Sequence, residues 1–459
     1  MQLPGDFKES MKSLLCGSYD DFISSYEVPL RGSLRVNTSK ISVDEFKWIA
    51  PFSIEPIDFI PEGFYIDEAD GWTKHPYYHA GLFYIQEASA MLPASLFPLD
   101  ENDSVLDMCA APGGKSTAIA GRVRTLISND ISFSRSMALV KNIEHSGCTN
   151  CNVTCEDPEK LARLWPERFD KIAVDAPCSG EGMFRKDRSL IEAYAKKKPE
   201  DYAPLQLRLL ELAYRMLKGG GSIMYSTCTF SDIEDEQVIL SFTKAHDDIE
   251  VSEIEKIHGL CGPYDKYSDE PSIKGCAHAF PHTMGCGGHF VALMKKSQDR
   301  ISESPVLRVS GVEYIELPQS VKDFSSHFLA EFCESFKSRR FLANKDGFIY
   351  MLPPGFDETY DKSIRYVRTG TCIGKMSKSG GFTPHTALAL SMSAEDFDNV
   401  LMLGADDPDA IRYLKGETLG RSYSGRGYVM ICADRFPLGF AKSDGAKIKN
   451  LYEKGWVYR

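Results

Sequence analysis

The chain has 459 residues, 43% of them apolar and 26% charged, and a formal net charge of −12. That length is more than one ordinary hydrophobic core serves and predicts two to four domains of a globular protein. No apolar run reaches the roughly 18 residues that cross a bilayer, and the opening MQLPGDFKES has no export pattern, so a cytoplasmic protein with no membrane partner is expected.

Thirteen cysteines, an odd number spread along the chain, argue against a disulfide framework and for reduced thiols. The charge is uneven. Residues 411–459 carry ten Lys or Arg and four Asp or Glu, a net of +6, which leaves −18 for residues 1–410. A basic tail on an acidic body reads as a docking element for nucleic acid.

In chain order, residues 1–92 mix short helical and strand-like patterns. LRVNTSK (34–40) alternates as a strand does, and residues 78–93 end in a helix-like run. Arg35 and Asn37 are candidates to touch a phosphate or a base, with a strand-end salt bridge as the alternative. The most informative stretch is SVLDMCAAPGGKSTAIA (104–120). An apolar strand ends in Asp107, passes a Pro-Gly-Gly turn and opens into an alanine-rich helix expected from about Ser116. Neither the phosphate loop G-x-x-x-x-G-K-[ST] nor the G-x-G-x-x-G fingerprint fits, since Cys109 stands where the first needs glycine. What remains is the first βα loop of a doubly wound sheet, with Gly113 and Gly114 letting backbone approach a small ligand.

Strands and helices then alternate as in a parallel sheet. Strands are expected at 124–130, 151–157, 169–177, 222–229 and 289–296, with helices at 135–147, 204–220 and 231–246. Carboxylates fall at four strand ends: Asp107, Asp130, Asp157 and Asp175. Asp130, about 20 residues past the first loop, suits a ribose diol. The polar segment from Gln298 reads as a linker, residues 304–400 have no assignable role, and GYVMICADRFPLGFAK (427–442) reads as two strands about an Asp-Arg turn in a small β-barrel.

The chemistry lies in DAPCSGEGMFRK (175–186) and YSTCT (225–229). Cys178 and Cys228 each follow an apolar strand and are predicted to face one cleft with the 107–115 loop. Two thiols suit methylation at carbon 5 of a pyrimidine. Thiolate addition at carbon 6 makes carbon 5 nucleophilic, and a base then removes its proton and releases the thiol. Asp175 is placed to hydrogen-bond or protonate ring N3. Cys148-x-x-Cys151 with Cys155 has metal or redox spacing but lacks a matching second pair. The scatter of His258, Cys261, Cys276, His278, His282, Cys286 and His289 matches no zinc module, so no metal is expected.

These motifs resemble the Sun/Nop family of RNA cytosine-5 methyltransferases, and within it the bacterial 16S ribosomal RNA F type. The resemblance rests on LRVNT, YIQEASAMLP, LDMCAAPGGKS, SND, DAPCSGEGMFRKD, YSTCT, FPH with GHFVAL, and the tail. It implies an α/β fold: a Rossmann-like S-adenosylmethionine-dependent core (93–297), an N-terminal ferredoxin- or RRM-like domain (1–92), an intermediate domain (304–400) and a PUA-like β-barrel (401–459). It implies S-adenosylmethionine held by Cys109, Ala110, Ala111, Pro112, Gly113, Gly114 and Lys115 with Asp130, Asp157 and Asp175. Cys228 then maps to the nucleophile and Cys178 to product release, while Lys115 is structural or catalytic. His289 departs from the family, where an aromatic residue is common before FVA. The implied partner is 16S rRNA or the small ribosomal subunit, and a monomer is the default state. The alternatives are the same chemistry on transfer RNA or another RNA, a non-catalytic ribosome-assembly factor, and a redox protein built on Cys148 and Cys151 with a lowered thiol pKa.

Overall fold

The computed structural model describes residues 2–254, 257–298 and 312–457. Most of the expected linker after Gln298 lies outside the described residues.

The central sheet is built as the alternation requires. Strands β1 (Ser104–Asp107), β2 (Thr125–Asn129), β3 (Cys151–Thr154), β4 (Phe169–Asp175) and β5 (Leu217–Thr227) run parallel in the order β5-β4-β1-β2-β3. Strand β6 (His289–Lys296) joins β5 antiparallel, with Phe290 opposite Thr227. Because β6 runs backwards, its first residue lies at the edge where the parallel strands end. The strands read as apolar runs, Leu106, Ile127, Ile172 and Ile223 among them, because helices cover both faces.

Some boundaries shift for identifiable reasons. Helix α1 (Gly114–Ala120) starts two residues before Ser116, on Gly113 at φ 115, a left-handed value that glycine adopts readily. The helix expected at 204–220 runs Pro199–Met216: Pro199 takes the first-turn position, Asp201 accepts from the Lys198 N–H, and Leu217 pairs with Phe169 in the sheet before the glycines arrive. Residues 231–235 form turns, and the last helix of the core is Glu236–Ala245.

The N-terminal sheet comprises Glu55–Ile57, Ile60–Ile66, Gly32–Val36 and Phe83–Ile85 in that spatial order, with helix Val43–Ile49 between its first two strands in sequence. This is the strand order of a split βαβ, ferredoxin-like domain. The two helices before it, Gly5–Leu15 and Tyr19–Ser25, lie elsewhere: Phe7 and Phe22 pack against Phe184, Phe230 and Phe280 of the core.

Residues 312–400 do not form a separate body. Phe341–Ala343, Phe348–Met351, Thr371–Met376 and Phe382–Pro384 make their own sheet, but strand β7 (Tyr366–Thr369) pairs antiparallel with β3 at the edge of the central sheet. Arg368, almost wholly buried, donates to the Cys151 carbonyl at 2.8 Å and the Cys148 carbonyl at 2.9 Å. The C-terminal sheet (Val400–Leu403, Gly427–Ala433, Phe436–Ser443, Ile448–Asn450) turns at Asp434 and Arg435 as expected, with Asp434 at φ 50. Its pairing is an open four-strand path, with an isolated bridge between Leu419 and Ile448. Both faces are covered: Val429, Ile431 and Ala433 share a core with Leu34, Phe64 and Phe83 of the N-terminal domain, while Met430, Cys432 and Phe440 pack with Phe324, Phe341 and Ile373.

Candidate active site

At the carboxyl edge of the central sheet a cavity of about 290 Å3 is lined by Cys109 to Pro112, Gly114, Lys115, Asp175 and Cys228, with Tyr84 and Gln86 from the N-terminal domain. Its floor is a short charged chain. The Lys115 Nζ lies 2.9 Å from Asp175 Oδ2 and 3.5 Å from His289 Nε2, and Ser226 donates its hydroxyl to Asp175 Oδ1 at 2.8 Å. Burial alone raises the Asp175 pKa, but the Lys115 charge and the hydrogen bonds from His289 and Lys115 outweigh it and hold the carboxyl well below the usual carboxylate range. Asp175 is therefore charged at neutral pH and accepts rather than donates. Of the two roles expected for it, hydrogen bonding is the one that a charged carboxylate meets directly.

His289, whose effect was open in the sequence, is buried in this centre 3.9 Å from Asp175 Oδ1. Burial and the neighbouring Lys115 charge lower its pKa, so the ring is neutral.

The two thiols meet. Cys178 Sγ and Cys228 Sγ are 3.3 Å apart, and of the two it is Cys228 that lines the cavity. The hydrogen bond to Cys228, then burial, pushes the Cys178 thiol well above its ordinary range and keeps it protonated. The loops that carry the thiols are tied by buried carboxylates that sequence reasoning missed. Glu234 accepts from the Ser179 N–H at 3.0 Å, the Ser179 hydroxyl and Gln206 Nε2 at 2.9 Å. Glu181 accepts from the Thr229 hydroxyl at 2.9 Å and the Phe230 N–H at 3.0 Å. The available signal was the spacing of acids around each cysteine, which reads equally as a solvated turn.

The other expected residues fall as follows. Asp130 is buried at the end of β2, accepts from the Ser132 N–H at 2.9 Å and sits 3.4 Å from Arg135, whose other nitrogen donates to the Ala111 carbonyl. Asp107 accepts the Ser116 hydroxyl at 2.6 Å, and burial pushes its pKa up to about 7. Asp157 is an exposed helix cap on Glu159 N–H, off the cavity lining, as are Asp130 and Gly113. Among the described residues Arg35 and Asn37 form no salt bridge, and both donate to protein acceptors. Arg35 donates to Thr117 Oγ1 at 2.8 Å and the Gly114 carbonyl at 3.2 Å, and Asn37 to the Gly81 and Ser146 carbonyls, so both fasten the N-terminal domain to the core, Arg35 at the start of α1 and Asn37 at the end of helix Phe133–His145.

The redox reading fails on its own requirement. Burial raises the thiol of Cys148 and takes that of Cys151 up to about 12, where a redox pair needs a lowered value. The histidines of 258–289 disperse, with His278 bonded to Glu236 at 2.8 Å and His289 in the cavity.

A parallel sheet with a cavity at its carboxyl edge, one thiol in the lining and a second 3.3 Å behind it, is the arrangement of a Rossmann-like methyltransferase core. Comparison with known proteins agrees. Residues 94–295 match the family model of the 16S rRNA methyltransferase RsmB/F, residues 3–88 that of the N-terminal domain of 16S rRNA methyltransferase RsmF, and residues 401–458 the methyltransferase RsmF PUA domain. The Ribosomal RNA small subunit methyltransferase F of Escherichia fergusonii is 32% identical over 466 residues, 98% of this chain and 95% of that one. That of Salmonella agona is 32% identical over 470 residues with the same shares. Among solved structures, a methyltransferase homolog protein from Pyrococcus horikoshii is 28% identical with a TM-score of 0.53, covering 63% of this chain and 93% of that one. NSun6 from the same organism shares the fold at a TM-score of 0.50 and 21% identity, over 64% of this chain and 98% of that one. The chain belongs to the family of ribosomal RNA small subunit methyltransferase F.

Proposed function

We propose that the protein transfers a methyl group from S-adenosylmethionine to carbon 5 of a cytosine in 16S rRNA of the small ribosomal subunit. The observation that carries this reading is the pair of thiols 3.3 Å apart beside a charged Lys115–Asp175 centre.

The cavity suits the cofactor: the backbone of 109–112, the Lys115 cation and a buried Asp130 nearby are groups that a zwitterionic amino acid and a ribose diol need. When bound, S-adenosylmethionine supplies an electrophilic methyl. On the protein side, the Cys228 sulfur bonds to cytosine carbon 6, which makes carbon 5 nucleophilic. After carbon 5 has taken the methyl, its proton passes to a base, the bond from sulfur to carbon 6 breaks, and Cys228 leaves as thiolate. Cys178 stands at that bond. Asp175, held charged, orients the base through its amine, and Lys115 stands beside it in the cavity lining as a proton-bearing group. The target must be unpaired or flipped to reach the thiols. Residues 1–92 and 401–459 flank the catalytic domain 93–297 as RNA-binding domains, and residues 312–400 join the C-terminal one to it.

The test is to incubate wild type, Cys178→Ala and Cys228→Ala with S-adenosylmethionine and small subunits. Bisulfite sequencing then reads methylcytosine, and a denaturing gel reads RNA adducts. Product is expected from wild type alone, and a denaturation-resistant adduct from Cys178→Ala alone. Adduct with Cys228→Ala would exchange the roles, and neither product nor adduct from any variant would overturn the proposal.

A further inference from the structure

The reaction cavity does not stop at its own mouth. A second cleft of about 600 Å3 adjoins it, and the two share Ile85, Gln86, Glu87 and Lys186. One wall is residues 26–33, the stretch joining the N-terminal helices to the first strand. The other is the continuation of the first cysteine's loop through Arg185, Lys186 and Arg188.

Two exposed carboxylates, Glu27 and Glu68, lie on the wall opposite Lys186 and Arg188, and the other charges in this cleft divide by what they already hold. Arg185 is committed to the wall: it donates to the Ser25 carbonyl at 3.1 Å and to the Cys286 carbonyl, and lies 5.5 Å over the Tyr26 ring. Glu87, buried, accepts from the Gly287 N–H at 2.7 Å and the Ala90 N–H at 3.1 Å, so its charge is met inside the protein. Arg31 at the outer end pairs with Glu55 at 2.5 Å and stacks 4.0 Å over Tyr65. Lys186 and Arg188 are exposed, and among the described residues neither is salt-bridged. Two uncommitted cations thus line the cleft, Lys186 where it meets the reaction cavity and Arg188 further out, beside a cavity that must admit a base while its two phosphates stay outside.

We propose that this cleft binds the phosphodiester backbone next to the target nucleotide, with Lys186 and Arg188 contacting phosphate. The inference rests on the proposed RNA substrate and adds where the strand runs. In a chain of net charge −12, attraction of RNA rests on local groups of cations, and beside the basic tail these two are the ones next to the reaction cavity. The polar, open cleft continuous with the reaction cavity fits a strand that passes through, which an isolated phosphate pocket would not.

The experiment uses the full chain with Lys186→Gln, Arg188→Gln and the double variant, and Lys244→Gln on helix Glu236–Ala245 as an exposed control. Binding of a single-stranded RNA that carries the modified site is measured over a salt series, alongside S-adenosylmethionine affinity by calorimetry. Each cleft variant is expected to weaken RNA about threefold to tenfold and to flatten the slope of log affinity against log salt by about 0.7, the single-strand contribution of one phosphate contact. Lys186→Arg restores the slope, and cofactor affinity stays at the wild-type value in Arg188→Gln, whose side chain lies off the reaction cavity. Unchanged RNA affinity in the double variant overturns the inference, as does weakened binding with an unchanged slope, which marks a shape defect. Failure of the parent reading looks different: wild type then binds RNA and yields no methylcytosine.

Discussion

Lys115 holds the site's charge in balance, because its ammonium is the near counter-charge to an Asp175 carboxylate removed from bulk water. Lys115→Met leaves that carboxylate with Ser226 and a neutral His289, so the variant is expected to lose roughly 10²-fold in kcat, the low end of what a positioned proton-bearing group supplies. Restoration by Lys115→Arg to near wild type in the methylation assay would sink a proton role and leave a charge role only. Asp107 makes a pH prediction. Its folded pKa of about 7 stands above the unfolded value of about 3.9, so the stability it contributes is complete below pH 4 and is lost as pH rises through 7. Asp107→Asn keeps a partner for Ser116 and carries no charge. Denaturant midpoints taken from pH 5 to 8 should therefore rise for the variant relative to wild type, and parallel profiles would refute the assignment. At this scale the sequence was most legible where chemistry is contiguous: Asp175, Cys178 and the 109–115 loop declare themselves within a few residues. The Lys115–His289 contact did not, because 174 residues separate the two and only the antiparallel turn of β6 brings them together.

The elements divide in the same way. The parallel strands were readable because burial on both faces gives continuous apolar runs, and the Asp-Arg hairpin because turn and alternation agree. Strand β7 was not readable: four residues, YVRT, pair with β3 across more than 200 positions, and nothing local marks a strand taken into another domain's sheet. Arg368 makes this junction testable. It is buried beside Glu144, 3.6 Å from Oε1, and it satisfies two carbonyls at the start of β3. Arg368→Leu leaves a buried carboxylate and both carbonyls without their partner, which costs about 3–5 kcal/mol. Urea unfolding followed by tryptophan fluorescence should report it, helped by Trp165, whose indole donates to the Thr359 carbonyl at 3.0 Å across the same junction. A midpoint within error of wild type would mean that β7 is held by its backbone ladder alone.

At the scale of the molecule, the basic tail expected as an appended docking module is also a structural keystone, since alternate residues of strand Gly427–Ala433 complete two different cores. Removal of residues 401–459 strips Val429 and Ile431 from one core and Met430 and Cys432 from the other. The shortened chain is expected to bind the dye ANS strongly and to unfold over a broad range, whereas the full chain gives a sharp calorimetric transition. A shortened chain that keeps a sharp transition and excludes the dye would show the tail to be separable. The composition pointed to the tail's charge and not to this duty, because the apolar residues of 427–442 look the same whether one face is covered or two.

This shared core also sets a clock on the protein's birth. The N-terminal sheet is complete in sequence by Ile85, yet its outer apolar face waits for residues from Val400 onward. At ordinary translation rates those 315 residues take about 15–60 s to emerge. Through that interval Leu34, Phe64 and Phe83 are held by their own sheet without their final partner, and the nascent chain carries an uncovered apolar face. The first domain therefore completes its core only when the last one has been made.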